Sequence, residues 1–376
     1  MKTFAEHLDP SNGPKRILSL DGGGIKGALT LGYLKKIETI VREKEGNDQL
    51  LLCDYFDLIG GTSTGSIIAA GLAIGMEVDE ISKLYMDLGG KIFGKKRSFW
   101  KPWETWKFLK ANYDYSVLEQ SLKDTFGDIL MGGPEIKTGL CVVAKRADTN
   151  STWPIINHPK GKFYDSDMGR NKDIPLWQAI RASSAAPTYF VPQLIDVGNN
   201  QTAAFVDGGV SMANNPSLTL LMVATLNGFP FGWEMGEDKL EVVSLGTGYS
   251  IFSKKTSEIE DSWMMDWAKN VPNMLMQDSS WQNQMMMQWL SNSPTATSID
   301  MEINGLEGDY IGGKPQIKYL RYNFPITVDT LNALPSNKVY TDDDVESLIE
   351  MSNAENRFEL LEIGTLASEV IKKEDF

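Results

Sequence analysis

Short apolar runs alternate with longer stretches of helical periodicity along most of this chain. RILSL (16–20) reads as a buried strand, and ALTLGYLKKIETIVREK (28–44) as a helix with Leu29, Tyr33, Ile37 and Ile40 on one face. YFDLIG (55–60) and SIIAAGLAIG (66–75) repeat the strand–turn–helix order, which predicts parallel βα units. Further strands are expected at KTGLCVVAK (137–145), TAAFVDGG (202–209) and KLEVVSLGTG (239–248), with a crossover helix over NNPSLTLLMVATLNG (214–228). Residues 341–371 read as helical, capped by Thr341, with Asp342, Asp343 and Asp344 suited to the positive end of the helix dipole. Residues 1–14 are polar and end in Asn-Gly-Pro, which predicts a flexible tail. No repeat or biased linker interrupts 15–330, so one domain is expected there, with 331–376 packed on it.

Composition narrows the class. At 42% hydrophobic and 23% charged, 376 residues can bury a large core. A formal net charge of −14 makes general binding to nucleic acid or to an anionic surface unfavourable, so any such contact must be local. Cys53 and Cys141 sit among apolar residues and read as reduced thiols. MKTFAEHLDPSNGPKR carries no apolar leader segment, and SIIAAGLAIGM is well short of the roughly 18 apolar residues of a membrane span, so a cytoplasmic protein is expected.

Two glycine-rich turns carry candidate chemistry. Gly61-Thr62-Ser63-Thr64-Gly65 matches G-x-S-x-G between an apolar strand and a small-residue helix, the context that pushes a serine out of a sheet on a sharp turn. Ser63 is therefore a candidate nucleophile. The chain has only two histidines, His7 in the polar tail and His158 in a loop-like stretch between prolines. If neither serves as base, a carboxylate must take the serine proton. Asp207 in AAFVDGGVSMANNP ends an apolar strand; by spacing alone a base and a plain Asp-Gly turn are equal readings. The segment Gly22-Gly23-Gly24-Ile25-Lys26-Gly27 fits G-x-G-x-x-G, which keeps a nucleotide-binding module open. However, the acidic residues about 20 positions on precede the next strand rather than end it, and no P-loop Lys-Ser or Lys-Thr follows. The other reading is an oxyanion hole built from the amides of Gly22, Gly23 and Gly24, with Lys26 neutralising charge nearby.

Taken together, Asp21-Gly22-Gly23-Gly24-Ile25-Lys26-Gly27, the Ser63 pentapeptide, Asp207-Gly208-Gly209, IRASSAAPTYFVP (180–192) and VSLGTG (243–248) resemble the patatin-like phospholipase family in kind and order, from about residue 15 to 325. The resemblance implies a three-layer α/β/α sandwich with a mostly parallel sheet. It also implies a Ser63–Asp207 dyad supported by Gly61, Gly65, Gly208 and Gly209, and hydrolysis of acyl esters of membrane phospholipids without metal or cofactor. A general carboxylesterase or thioesterase keeps the same chemistry on another substrate. Some bacterial members of the family are switched on by cyclic nucleotides in defence against phage, which brings such an activator into view, although no residues here spell out a nucleotide site.

Two further segments stand out. KIFGKKRSFWKPWETWKFLK (91–110) has seven basic residues and one acidic, with Lys95, Lys96 and Arg97 interleaved with Trp100, Trp103 and Trp106; it is expected at a membrane surface or the substrate entrance, against a plain surface helix. The Met- and Trp-rich stretch 263–290 reads as core rather than as an acyl-chain pocket or lid.

Overall fold

The computed structural model describes residues 2–93, 115–187, 189–198, 201–251, 256–260 and 263–376. Among the described residues, nine strands form one sheet: β1 (Lys15–Leu20), β2 (Leu58–Thr62), β3 (Gly139–Arg146), β4 (Ser151–Ile156), β5 (Gln193–Asp196), β6 (Thr202–Asp207), β7 (Leu240–Leu245), β8 (Ser291–Asn292) and β9 (Ile317–Tyr322). Their order is β5-β6-β3-β2-β1-β7-β9-β8, with β4 also paired to β3. The run from β3 through β2, β1, β7 and β9 to β8 is parallel, whereas β4, β5 and β6 make the sheet antiparallel at one side.

Alternation along the strands builds two cores. Leu140, Val142 and Ala144 of β3 face one cluster with Leu18, Leu20, Val243 and Leu245, while Cys141 and Val143 face the other with Ile17, Leu58 and Val242. Successive side chains of a strand point to opposite faces, so both faces are covered. Parallel strands buried on two sides read as unbroken apolar runs, which is why these strands were legible as such. Helices Gly27–Glu45 and Thr64–Ala73 pack in the first core, and Ser217–Thr225 in the second.

Two expectations about the ends change. Residues 2–14 are not a loose tail: a capped helix, Phe4–Leu8, buries His7 and Leu8. Asp57 is the reason. It accepts from Lys2 Nζ at 2.8 Å, lies 2.9 Å from His7 Nδ1, and accepts the Arg16 amide at 3.0 Å. Burial works to raise the Asp57 pKa, but the hydrogen bonds from His7 and Lys2 outweigh it and the net shift is downward. The C-terminal stretch is not one helix but two, Asp342–Ile349 and Arg357–Ala367, joined by a turn. The second lies against Gly27–Glu45 so closely that a Cβ on Gly32 would stand 2.3 Å from the Gly364 carbonyl carbon.

A buried ion pair links the end of β1 to β9 across β7. Asp21, just after β1, receives both guanidinium arms of Arg321 in β9, at 2.9 and 2.6 Å. Ser244 of β7 accepts from the same Arg321 at 2.8 Å. Replacing Arg321 by Leu would strand a buried carboxylate and is expected to cost about 3–5 kcal/mol of stability, read by urea denaturation; an unchanged midpoint would show that the pair contributes nothing.

Candidate active site

The strand register places the two candidate catalytic side chains beside each other. Thr62 in β2 pairs with Val143 in β3, and the next residue of β3, Ala144, pairs with Asp207 on the same edge, because β4 occupies the other edge over residues 141–146. Ser63, one residue past Thr62, therefore meets Asp207 where the ends of β2 and β6 come together along β3. Both lie at the carboxyl edge of the parallel strands, where open α/β sheets form their sites.

Ser63 sits at the junction of β2 and helix Thr64–Ala73 with φ 53° and ψ −124°, a conformation that side chains rarely adopt. The turn is tight because its flanking glycines touch backbone: a Cβ on Gly61 would meet the Gly65 carbonyl oxygen at 2.2 Å, and one on Gly65 would meet the Leu20 oxygen at 2.3 Å. The Ser63 amide donates to Ser183 Oγ at 2.8 Å, and the Ser63 carbonyl accepts from Ser66 Oγ at 2.6 Å.

Asp207 is buried. Its carboxylate accepts the Gly209 amide at 2.7 Å, and the nearby Ser63 hydroxyl favours its charged form. Burial pushes the Asp207 carboxyl up to about 6, although both groups pull the other way. The turn that follows is pinned from two sides. Gly208 O accepts from Ser211 Oγ at 2.6 Å, Thr62 Oγ1 donates to the Ala213 carbonyl at 2.5 Å, and Asn283 Nδ2 donates to the Asn215 carbonyl at 2.9 Å.

The three glycines are not equivalent. The Gly22 amide donates to the Asn214 carbonyl at 3.0 Å, so its hydrogen is already committed. Gly23 and Gly24, but not Gly22, line the cavity that holds Ser63 and Asp207. Gly24 has φ +58°, and a Cβ there would meet the Met351 carbonyl oxygen at 2.3 Å. That carbonyl accepts the Ile25 amide at 2.9 Å, and the Tyr85 hydroxyl donates to Gly24 O. Lys26 turns away to the Gly248 carbonyl at 3.3 Å, and burial lowers its pKa to about 8.

The cavity measures about 1180 Å³. Its wall is mainly apolar, including Ile67, Leu118, Phe190, Met276 and Met351. Part of it comes from helix Met264–Leu290, which overturns the core reading of 263–290. Among its described side chains, the buried ones, Asn283, Gln284, Met287 and Gln288, lie in the C-terminal half; Val271 and Leu275, which line the cavity, are 41% and 63% exposed. The helix is one wall of the site because its C-terminal half, with Met287 in the second core beside buried Asn283, Gln284 and Gln288, anchors it.

Neither histidine belongs to this cavity. His7 is with Asp57, and His158 packs edge-on against Phe231 at 4.8 Å, where burial lowers its pKa to about 4. Lys95, Lys96, Arg97, Trp100, Trp103 and Trp106 lie outside the described residues. Among the described residues, no three His, Cys, Asp or Glu side chains gather as metal ligands would, and no helix is long and apolar enough to cross a membrane.

A family model described as patatin-like phospholipase matches residues 18–221, more than half of the chain. The chain belongs to that family. This patatin-like chain is 34% identical over 214 residues to a cGAMP-activated phospholipase of Vibrio cholerae, covering 54% of this chain and 55% of the relative. A cGAMP-activated phospholipase of Escherichia coli is 35% identical over 54% of this chain and 53% of its own length, and Patatin-1-Kuras 2 of Solanum tuberosum is 29% identical over 65% and 66%. The chain thus spans about half the length of the two bacterial relatives it matches. Among solved structures, VipD from Legionella pneumophila aligns over 93% of this chain and 67% of its own, at 13% identity and a TM-score of 0.37.

Ser183, Tyr85, Asn283 and Met351 were given no role from sequence. The only local signal was the Ser-Ser pair in IRASSAAP; the other three act through tertiary contacts alone. Backbone strain at Ser63 has a measurable consequence. Ser63→Gly is expected to be about 1–2 kcal/mol more stable than Ser63→Ala, because glycine adopts this φ and ψ without strain. Denaturation of the two variants side by side checks this, and equal stability would mean that the turn is unstrained.

Proposed function

We propose that this chain is a serine acyl hydrolase of lipid esters, with Ser63 as nucleophile and Asp207 as its base. The observation that carries the reading is Ser63, on its strained turn, lining the same large apolar cavity as the buried carboxylate of Asp207. As the Ser63 oxygen attacks the ester carbonyl, its proton passes to Asp207. The carbonyl oxygen becomes an oxyanion, and the free amides of Gly23 and Gly24 are the donors suited to it, each worth about 2.7–4 kcal/mol of barrier. Gly22 drops out of that role because its amide serves Asn214. The intermediate then collapses: the bond to the leaving alcohol breaks, and that oxygen receives the proton from Asp207. Water, deprotonated by Asp207, attacks the acyl carbonyl; the bond to the Ser63 oxygen breaks, that oxygen takes back the proton from Asp207, and the fatty acid is released.

An apolar cavity of this size suits a long acyl chain and favours phospholipid over small soluble esters. Long-chain phospholipid vesicles compared with short p-nitrophenyl and thioester substrates separate a phospholipase from a general esterase or thioesterase. A chain acting on phospholipid would work at the membrane surface. Two bacterial relatives are named as cGAMP-activated, which supports a cyclic-nucleotide activator here as well. Turnover with and without cGAMP tests this; identical rates would count against it.

Mass spectrometry of lipid products tests the chemistry. Ser63→Ala is expected to fall to background and Asp207→Asn to lose roughly 10²–10⁴-fold in kcat; turnover equal to wild type in either would overturn the dyad. Because the ionised carboxylate is the base, kcat/KM should rise with pH and level off above a midpoint of about 6, the value to which burial raises Asp207. A midpoint near 4 would mean that the working carboxylate is solvated.

A further inference from the structure

Ser183 belongs to no proposed catalytic group, yet its hydroxyl sits at the end of the ladder between β2 and β3. It accepts the Ser63 amide at 2.8 Å and donates to the Val143 carbonyl at 2.6 Å. Val143 is the residue paired with Thr62, immediately before the turn. The sharp bend at Ser63 leaves one backbone donor and one backbone acceptor at the end of that pairing, and the Ser183 hydroxyl serves both. A hydroxyl can do so because it is donor and acceptor at once. Two residues further on, the Ala185 carbonyl accepts the Asp207 amide at 3.0 Å. One short segment, 183–185, thus holds the backbone of both Ser63 and Asp207. Ser183 is fully buried.

We propose that Ser183 is a positioning residue: its hydroxyl sets the Ser63 turn, and thereby the alignment of the Ser63 hydroxyl with Asp207. This rests on the reading of Ser63 and Asp207 as nucleophile and base. Misalignment of reacting groups by about 1 Å can cost on the order of 10²-fold in rate. It also displaces the Ser63 hydroxyl that holds the Asp207 pKa down, so its carboxyl should titrate higher. Lys145 of β3 and Asp278 of helix Met264–Leu290 are the other charged side chains lining the cavity among the described residues, and the substitution leaves both in place.

The test uses the whole chain with Ser183→Ala, Ser183→Cys and Ser183→Thr. It follows the rate of Ser63 labelling by a fluorophosphonate, kcat and KM for p-nitrophenyl butyrate from pH 4.5 to 8.5, and thermal midpoints. Ser183→Ala is expected to slow labelling and kcat about 10–100-fold with KM changed less than about threefold. The acidic limb should move above its wild-type midpoint, and Ser183→Thr, which keeps the hydroxyl, should recover most of the rate. Should Ser183→Ala fail to fold, Ser183→Cys against Ser183→Thr decides: slow Cys with fast Thr supports the proposal, and equal rates overturn it. Wild-type labelling in folded Ser183→Ala overturns it, as does a loss of rate with an unmoved acidic limb. Ser63→Ala and Asp207→Asn run alongside. If they lose activity while Ser183→Ala keeps it, only the positioning role fails; if they keep it, the catalytic reading fails with it.

Discussion

A serine held at φ 53° is the constraint on which the rest of this site depends. Left-handed backbone is unfavourable for a residue with a Cβ, and it persists only where the surroundings determine it from several sides. Here they do. Gly61 and Gly65 allow the chain to fold back on itself, Leu20 O stands against the turn, Ser66 Oγ holds the Ser63 carbonyl, and Ser183 holds its amide. The strain lifts one hydroxyl off the end of a buried strand and into a cavity. Glycine at this position would be more comfortable and would have no hydroxyl to present.

The carboxylate opposite is subject to a second compromise. Burying Asp207 disfavours its charge, which raises the pKa toward 6, while the Ser63 hydroxyl and the Gly209 amide restrain that rise. An exposed aspartate would be too weak a base, and one buried without partners would be protonated near neutral pH. The Asp21–Arg321 pair shows the other outcome of burying a carboxylate: with a guanidinium on both oxygens, it becomes an anchor for the glycine loop rather than a proton acceptor.

The site also extends beyond the region matched by the family model, which ends at residue 221. Met351 anchors Ile25 through its carbonyl and lines the cavity, and helix Met264–Leu290 supplies another stretch of wall. The close contact between Gly32 and Gly364 brings the C-terminal segment onto helix Gly27–Glu45, which places Met351 over the glycine loop. Residues after 331 are therefore part of the site's architecture.

The sequence by itself determined the parallel βα order, five of the strands (β1, β2, β3, β6 and β7), the sharp turn at Ser63 and the candidacy of Asp207, because each is written in near neighbours: period-two or unbroken apolar runs, and glycines within two positions of the serine. It also misjudged what depends on distant partners. The N-terminal segment looked like a tail because Asp57, which binds it, is some 50 positions away; the Met-rich stretch looked like core because methionine count says nothing of which face is anchored. Gly22, Gly23 and Gly24 look alike in sequence, and only Asn214 distinguishes the first from the others. Tertiary structure alone decided these points, and Ser183 too, which is 120 residues from the amide it holds. The physical reason is common to all: the partner of a backbone donor depends on which strands and turns meet, and that is settled by the register of the whole sheet rather than by any local pattern.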